Sequence, residues 1–122
     1  MAFSHEVDRN ARRMVTHVSG PVEYDDLLAH MNAEVRDRGQ SYAELIDARG
    51  ATARFSSEQV RKFVAVLERL ARDSRLGPTA VVVSDDVTYG MVRMLGMFVD
   101  ETCAIEPFRD PEDAKRWLGW QS

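Results

Sequence analysis

Apolar and polar residues alternate at the start of the chain. The alternation covers positions 3–8 and again 13–19, and the turn-forming residues Asp8, Arg9 and Asn10 lie at the junction between the two runs. A period of two residues places successive side chains on opposite faces of a strand. The pattern therefore predicts an antiparallel hairpin, which Gly20-Pro21 ends.

Helical periodicity appears in the segments that follow. The first two helices carry apolar stripes made of Tyr24, Leu27, Leu28, Met31 and Val35, and of Val60, Phe63, Val64, Leu67, Leu70 and Ala71. Ser56 and Gln59 predict a capping box at the start of the second helix. A third helix is expected at about 84–100 and a fourth at 110–117, each opening with acidic residues that suit a helix N-terminus.

Short β-prone runs lie between these helices, at positions 42–48, 79–83 and 103–108, and positions 49–52 have the composition of a loop. The run at 79–83 has no polar alternation, which is typical of a strand covered on both faces. The order is thus ββαβαβαβα, and strands that alternate with helices pair in parallel through right-handed crossovers. We predict one α/β domain, residues 1–122, whose mixed five-stranded sheet holds strand 79–83 in its interior, parallel to the other two runs.

Composition excludes several classes of protein. The chain has 16 basic and 20 acidic residues, and its net charge of −4 does not attract nucleic acid or anionic membranes. The longest uninterrupted apolar run, positions 63–67, is too short for a membrane span, and the start of the chain lacks the apolar core of a secretion signal. The single cysteine, Cys103, is expected to be a buried, inert thiol. We therefore expect a cytoplasmic protein.

No common catalytic or cofactor motif stands in the sequence. The glycines are isolated, and there is no nucleophile elbow, phosphate-binding loop or dinucleotide fingerprint. His5, His17 and His30 are dispersed over two strands and a helix, so no metal site and no cofactor are expected. Acidic pairs such as Asp85-Asp86 lie in first turns of predicted helices, where capping explains them. These observations favour a protein without enzymatic activity.

The third helix has a wider apolar arc than an ordinary surface helix. Its apolar residues are Val87, Met91, Met94, Leu95 and Phe98 on one face, with Val92 and Val99 extending that face. Gly90 and Gly96 each cost about 1 kcal/mol in a helix interior, which indicates close approach of another backbone or a ligand. We predict that Val92, Gly96, Met97 and Val99 contact a second protomer or an apolar ligand. The alternative is that this helix fills the protein's own core.

Residues at the predicted strand ends are candidates for contact with a ligand or partner. In open α/β sheets, ligands bind at the carboxyl ends of strands, close to helix N-termini. The candidates are Asp47, Arg49, Ser84, Tyr89, Arg93 and Arg109. Tyr89, Arg93 and Arg109 suit the polar head of an amphipathic molecule. No pair of base and nucleophile can be named among them.

Several short stretches resemble the SpoIIAA-like proteins of bacteria. They are Ser19-Gly20-Pro21-Val22 before Asp26-Leu27-Leu28, YGMVRM from Tyr89 to Met94, Phe108-Arg109-Asp110 to Ala114, and Trp117-Leu118. That family is related in fold to STAS domains and more remotely to the lipid-binding Sec14 domain. The resemblance implies a right-handed β-α superhelix with helices mainly on one side of a mixed five-stranded sheet. It implies no activity, since most members have none assigned.

The chain departs from the true anti-sigma-factor antagonists of this fold in the loop after the third strand. Those proteins carry a phosphorylatable serine in an Asp-Ser-Ser-Gly type loop after the third strand, whereas this chain has Asp47-Ala48-Arg49-Gly50. Ala48 has no hydroxyl, so no kinase-controlled switch is expected at that position.

Two functional hypotheses follow. The first is a non-enzymatic interaction or regulatory module that forms a homodimer or contacts a protein partner and lacks the phosphorylatable serine. The second is a carrier or sensor of a small apolar or amphipathic ligand. An enzyme is the third and least favoured class, because no catalytic constellation is found.

Overall fold

The structure is a computed structural model that describes residues 3–37 and 41–120. The described strands are β1 (Phe3–Asp8), β2 (Arg13–Val22), β3 (Ala43–Ala53), β4 (Thr79–Val82) and β5 (Ile105–Phe108). The described helices are α1 (Tyr24–Arg36), α2 (Ser57–Asp73), α3 (Asp86–Phe98) and α4 (Pro111–Leu118). The predicted order ββαβαβαβα is confirmed.

The strands form one mixed sheet in the order β1-β2-β3-β4-β5. β1 pairs antiparallel with β2, from Phe3 opposite Val18 to Asp8 opposite Arg13. The pairs β2–β3, β3–β4 and β4–β5 are parallel. β4 therefore lies inside the sheet, parallel to both neighbours, as its unbroken apolar run predicts.

The helices divide unequally between the two faces of the sheet. Ala80 and Val82 of β4 are fully buried against Ala114 of α4 on one face. On the other face α1, α2 and α3 pack together around the buried Phe63 and Val99. Both faces of β4 are thus covered. No helix in the described ranges is long and apolar enough to cross a membrane.

The helix starts coincide with side-chain caps. At α2 the predicted capping box is present, with Ser56 Oγ accepting from the Gln59 backbone at 3.1 Å and Gln59 accepting in return at 2.9 Å. At α4, Asp110 accepts from the Glu112 backbone at 2.9 Å, and Gly119 ends the helix at a φ of 78°, a conformation that favours glycine. Local chemistry therefore fixes where these helices begin and end.

β3 is longer than the sequence predicts, and the expected loop at 49–52 is wrong. The second half of β3 pairs with an extended β2 up to Val22 opposite Ala53, after a register shift between His17 and Ser19. Arg and Gly at positions 49 and 50 have low strand propensity. Backbone pairing with β2 overrides that propensity, which is a weak determinant in sheets.

The inward face of α3 is rotated from the predicted one: it keeps the half-buried Met91 and Leu95 but not Val87 and Phe98. Thr88, Val92, Leu95 and Val99 follow at intervals of four, three and four residues, and all four are buried or half-buried toward the sheet and α2. The Thr88 hydroxyl accepts a hydrogen bond from the Ala53 backbone at 3.4 Å. A wide apolar arc does not determine how a helix is rotated about its own axis. The hydrogen bond between Thr88 and Ala53 helps to fix that rotation for α3.

The rotation of α3 corrects the expected exposure of several side chains. Val99 is only 1% exposed and Val92 is half-buried, so both belong to the protein's own core. Val87 and Phe98, which the sequence pattern places toward the core, are each 54% exposed. Met97 is 68% exposed, in agreement with its expected position outside the core.

Gly96 lies where α3 crosses β5. A Cβ atom at Gly96 would stand 2.2 Å from the carbonyl oxygen of Ile105, whereas one at Gly90 would meet nothing within 4 Å. The backbone that approaches Gly96 therefore belongs to this chain and not to a second protomer. Gly96 and Val99 therefore belong to the protein's own core, whereas the half-buried Val92 also lines an interior cavity.

Gly96→Ala is expected to lower the free energy of unfolding by about 2 kcal/mol, because the added Cβ would overlap the Ile105 carbonyl and push α3 from β5. Gly90→Ala is the matched control on the same helix and is expected to raise that free energy by about 0.5–1 kcal/mol. Urea denaturation measures both. Equal effects of the two substitutions would contradict the close approach of α3 to β5.

Candidate functional site

A cavity of about 160 Å³ lies between the sheet and the helices α1, α2 and α3. Val18, Ile46 and Val81 line it from the sheet, and Met31 and Leu95 line it from the helices. Its walls are mostly apolar side chains, so it is suited to an apolar occupant.

Small side chains and one thiol contribute to this cavity. Ala48, Ala51 and Ala53 line it from β3, where larger residues would take up part of the space. Cys103, half-buried just before β5, also lines it. Burial raises the pKa of the Cys103 thiol to about 11, so the thiol is protonated and unreactive at neutral pH.

A cluster of buried ionisable side chains forms part of the cavity wall. His30 and Glu34 lie one turn apart on α1, and Glu44 lies on β3. His30 Nε2 is 3.1 Å from Glu44 Oε2 and 3.1 Å from Glu34 Oε1. The Thr16 hydroxyl on β2 donates to Glu44 Oε2 at 2.6 Å. None of these four residues is more than 5% exposed.

The hydrogen bonds of the cluster leave one oxygen unsatisfied. With its proton on Nε2, His30 donates to Glu44, and Glu34 Oε1 accepts no hydrogen bond within the described part of the chain. A buried acceptor without a partner costs about 1–3 kcal/mol. Glu34 Oε1, which lies 3.1 Å from His30 Nε2, is therefore an atom that a further group could bind.

Burial and mutual interaction shift the pKa of each ionisable group in the cluster. Burial, reinforced by the charge of Glu44, raises the pKa of Glu34 to about 9. Burial opposes the charging of His30, but its close contacts with both glutamates outweigh burial and raise the pKa of His30 to about 9. Burial also acts to raise the pKa of Glu44, but hydrogen bonds with Glu34, His30 and Thr16 hold it below its usual value. At neutral pH the cluster therefore contains an imidazolium, a carboxylate and a protonated carboxyl.

Two rings from β1 position the imidazole of His30. Phe3 stacks on it with ring centres 4.8 Å apart, and His5 meets its edge at 5.6 Å. His5 Nε2 is in turn 2.7 Å from Asp37 Oδ2, and this hydrogen bond holds the pKa of Asp37 below its usual value. The orientation of His30 is thus set by neighbours outside the cluster.

Three of the predicted strand-end residues converge at the start of α3. The Arg109 guanidinium lies over the Tyr89 ring at 4.7 Å and 3.5 Å from the Ser84 carbonyl oxygen. Arg109 also forms an ion pair with Asp86, so its charge is already compensated. None of these residues lines the cavity of about 160 Å³.

The remaining predicted contact residues lie apart from this group. Asp47 and Arg49 form a bidentate ion pair at 2.9 and 2.7 Å, and the hydrogen bonds from Arg49 hold the pKa of Asp47 below its usual value. Arg93 is exposed on α3. The structure therefore does not bring the six candidates together into one site.

The sequence does not reveal the cluster, because the single histidine of the cluster has two glutamate partners and no second histidine or cysteine at metal-ligand spacing. One indication is the spacing on α1. His30 and Glu34 follow the apolar Leu27 by three and seven residues, so helical periodicity places them on the same inward-facing side of the helix as Leu27. The contact with Glu44 depends on how α1 lies over β3. No local pattern encodes that placement.

No protein-family profile matches the chain, and no curated protein sequence matches it. Among solved structures, the chain is similar to an uncharacterized protein from the DUF3478 family with a SpoIIAA-like fold, from Shewanella loihica PV-4. The TM-score is 0.58, the identity is 15%, and the match covers 96% of this chain and 92% of the other. The chain therefore has a SpoIIAA-like fold, as its resemblance implies. At this identity the similarity shows the fold alone.

The cluster is expected to contribute little net stability. Glu44→Met alone should lower the free energy of unfolding by about 3 kcal/mol, because it removes the acceptor of the buried Thr16 and His30 donors. The triple variant His30→Leu, Glu34→Met and Glu44→Met removes all the charges together and should come within about 1 kcal/mol of the unchanged protein. Urea denaturation compares the variants. A triple variant less stable than Glu44→Met would show that the cluster is retained for stability.

Proposed function

We propose that this protein is a non-enzymatic carrier or sensor of a small, largely apolar molecule that binds between the sheet and helices α1, α2 and α3. The observation that carries the proposal is the cavity of about 160 Å³, whose walls are mostly apolar and include the His30, Glu34 and Glu44 cluster. Small-molecule sites have this composition, with few polar groups in an apolar surface.

A space of this size between the sheet and the helices supports a binding role. Deletion of core side chains costs about 24 cal/mol per Å³ of cavity left behind, which shows how much a filled interior contributes to stability. Protein interiors contain few voids larger than a water molecule. A ligand that fills the space would restore the missing contacts, and its binding would stabilise the fold.

The dimensions and the cluster define the ligand class. An apolar cavity of about 150 Å³ can hold benzene, so the buried part of the ligand has the size of one ring or a short branched chain. His30, Glu34 and Glu44 offer both donors and acceptors where they meet the cavity. The favoured ligand has an apolar body and one hydrogen-bonding group, as an aromatic alcohol does.

Native mass spectrometry of the full chain, purified directly from expressing cells, tests the proposal. A low-mass adduct is expected, and refolding from urea should remove it. The refolded chain should then bind p-cresol, seen as shifts of methyl signals from Val81 and Leu95 in NMR spectra. Absence of an adduct together with unchanged methyl signals would contradict the proposal.

A cavity-filling variant locates the site. Val81→Phe adds a ring from the centre of the sheet into the cavity and should weaken p-cresol binding at least tenfold, while Ala65→Phe on the exposed side of α2 should not change it. Melting temperatures confirm that both variants fold. Unchanged binding by Val81→Phe would place p-cresol elsewhere.

A second candidate function is self-association as an interaction or regulatory module. Val87, Met97 and Phe98 of α3 are 54%, 68% and 54% exposed. Large apolar side chains exposed along one helix are typical of interaction sites. A second copy of the chain suits this surface, because a two-fold pairing of α3 with α3 would cover the surface on both copies at once.

Sedimentation velocity tests the self-association. Phe98→Asp is expected to convert dimer to monomer with an unchanged far-UV spectrum, since Phe98 lies outside the core. Trp117→Asp on α4 is the matched control, because Trp117 is an exposed aromatic residue at 38% on another helix. An unchanged protein that stays monomeric at high concentration would exclude this function.

A further inference from the structure

We propose that His30, Glu34 and Glu44 form a binding site for a divalent first-row transition metal ion, with Zn²⁺ as the representative. The candidate ligand atoms are the imidazole nitrogen Nε2 and one carboxylate oxygen from each glutamate. These atoms all lie within 4.8 Å of one another, and all three residues are buried.

The distances suit a common metal ion. His30 Nε2 is 3.1 Å from the nearest oxygen of each glutamate. A tetrahedral zinc ion with bonds of about 2.0–2.2 Å holds its ligand atoms about 3.3–3.6 Å apart. The two nitrogen–oxygen distances are close to this range, and the third separation, between the two glutamate oxygens, lies within 4.8 Å.

The orphaned carboxylate oxygen is an independent observation that indicates a ligand. Glu34 Oε1 lies 3.1 Å from His30 Nε2 but accepts no hydrogen bond within the described ranges, and the Glu34 side chain is only 5% exposed. Metal binding requires a deprotonated imidazole and deprotonated carboxylates, so an ion that binds here displaces the protons that these groups carry. A bound cation would be coordinated by both carboxylates.

Supporting contacts hold the ligands in the manner of a metal site. Metal-binding side chains are typically fixed by hydrogen bonds from residues that do not touch the metal. Thr16 donates to the same Glu44 oxygen that faces His30, and Phe3 stacks on the imidazole. These contacts orient two of the three ligands before any ion binds.

The donor set defines the class of ion. One imidazole nitrogen and two carboxylate oxygens favour Zn²⁺, Co²⁺, Fe²⁺ or Mn²⁺ over softer ions, which prefer thiolates. Three protein ligands leave at least one coordination position open. Because the cluster lines the cavity, an ion could enter from it, and the open position would be reached from it.

Titration of the chelator-treated, refolded full chain with Co²⁺ tests the site, and calorimetry repeats the test with Zn²⁺. One ion per chain is expected, with the visible absorption of cobalt in a site of low coordination number. Glu34→Gln should weaken binding at least tenfold, and Thr16→Val should weaken it about 10–100-fold. His17→Gln is the control and should bind normally, because the His17 side chain is 60% exposed and lies outside the cluster.

Two results would overturn the metal site. One is the absence of saturable binding of either ion, and the other is equal binding by Glu34→Gln and His17→Gln when circular dichroism shows both to be folded. Binding of p-cresol is measured on the same metal-free samples. Because the two ligands are assayed separately, failure of the metal site leaves the proposed binding of an apolar molecule intact.

Discussion

The buried carboxylate of Glu44 is the group on which the placement of the first helix depends. Glu44 lies on β3 and accepts hydrogen bonds from Thr16 on β2 and from His30 on α1, so one side chain joins three successive elements. Losing either donor would leave a buried charge poorly compensated, which is far more costly than losing an apolar contact. α1 is therefore fixed over the sheet at this point, and the cavity lies beside the contact.

The fold was largely predictable because its main determinants are local and periodic. Helical stripes and capping residues such as Ser56 mark the helices, and the unbroken apolar run of β4 marks an internal strand. Prediction failed where tertiary contacts decide. Pairing with β2 extends β3 through Arg49 and Gly50, and on α3 the core includes Thr88, a polar residue that no hydrophobic pattern places inside.

The candidate site was predictable only in part. Convergence of Ser84, Tyr89 and Arg109 follows from the general position of strand ends in parallel sheets, but these residues do not line the cavity. Prediction of the contact between His30 and Glu44 requires knowing how α1 lies over β3, and hydrophobic periodicity does not give that information. Similarity to a SpoIIAA-like structure at 15% identity shows the fold, but it does not predict the arrangement of His30, Glu34 and Glu44.

Small residues of β3 leave space between the sheet and the helices α1, α2 and α3, and a polar cluster borders that space. We propose that a small molecule fills it. A high-resolution crystal structure of the protein purified without added ligand is the decisive test. We expect electron density for a non-protein molecule between α1 and the sheet, in contact with His30 or Glu34. A closed interior, with Met31 and Leu95 packed onto Val81 and no remaining volume, would contradict it.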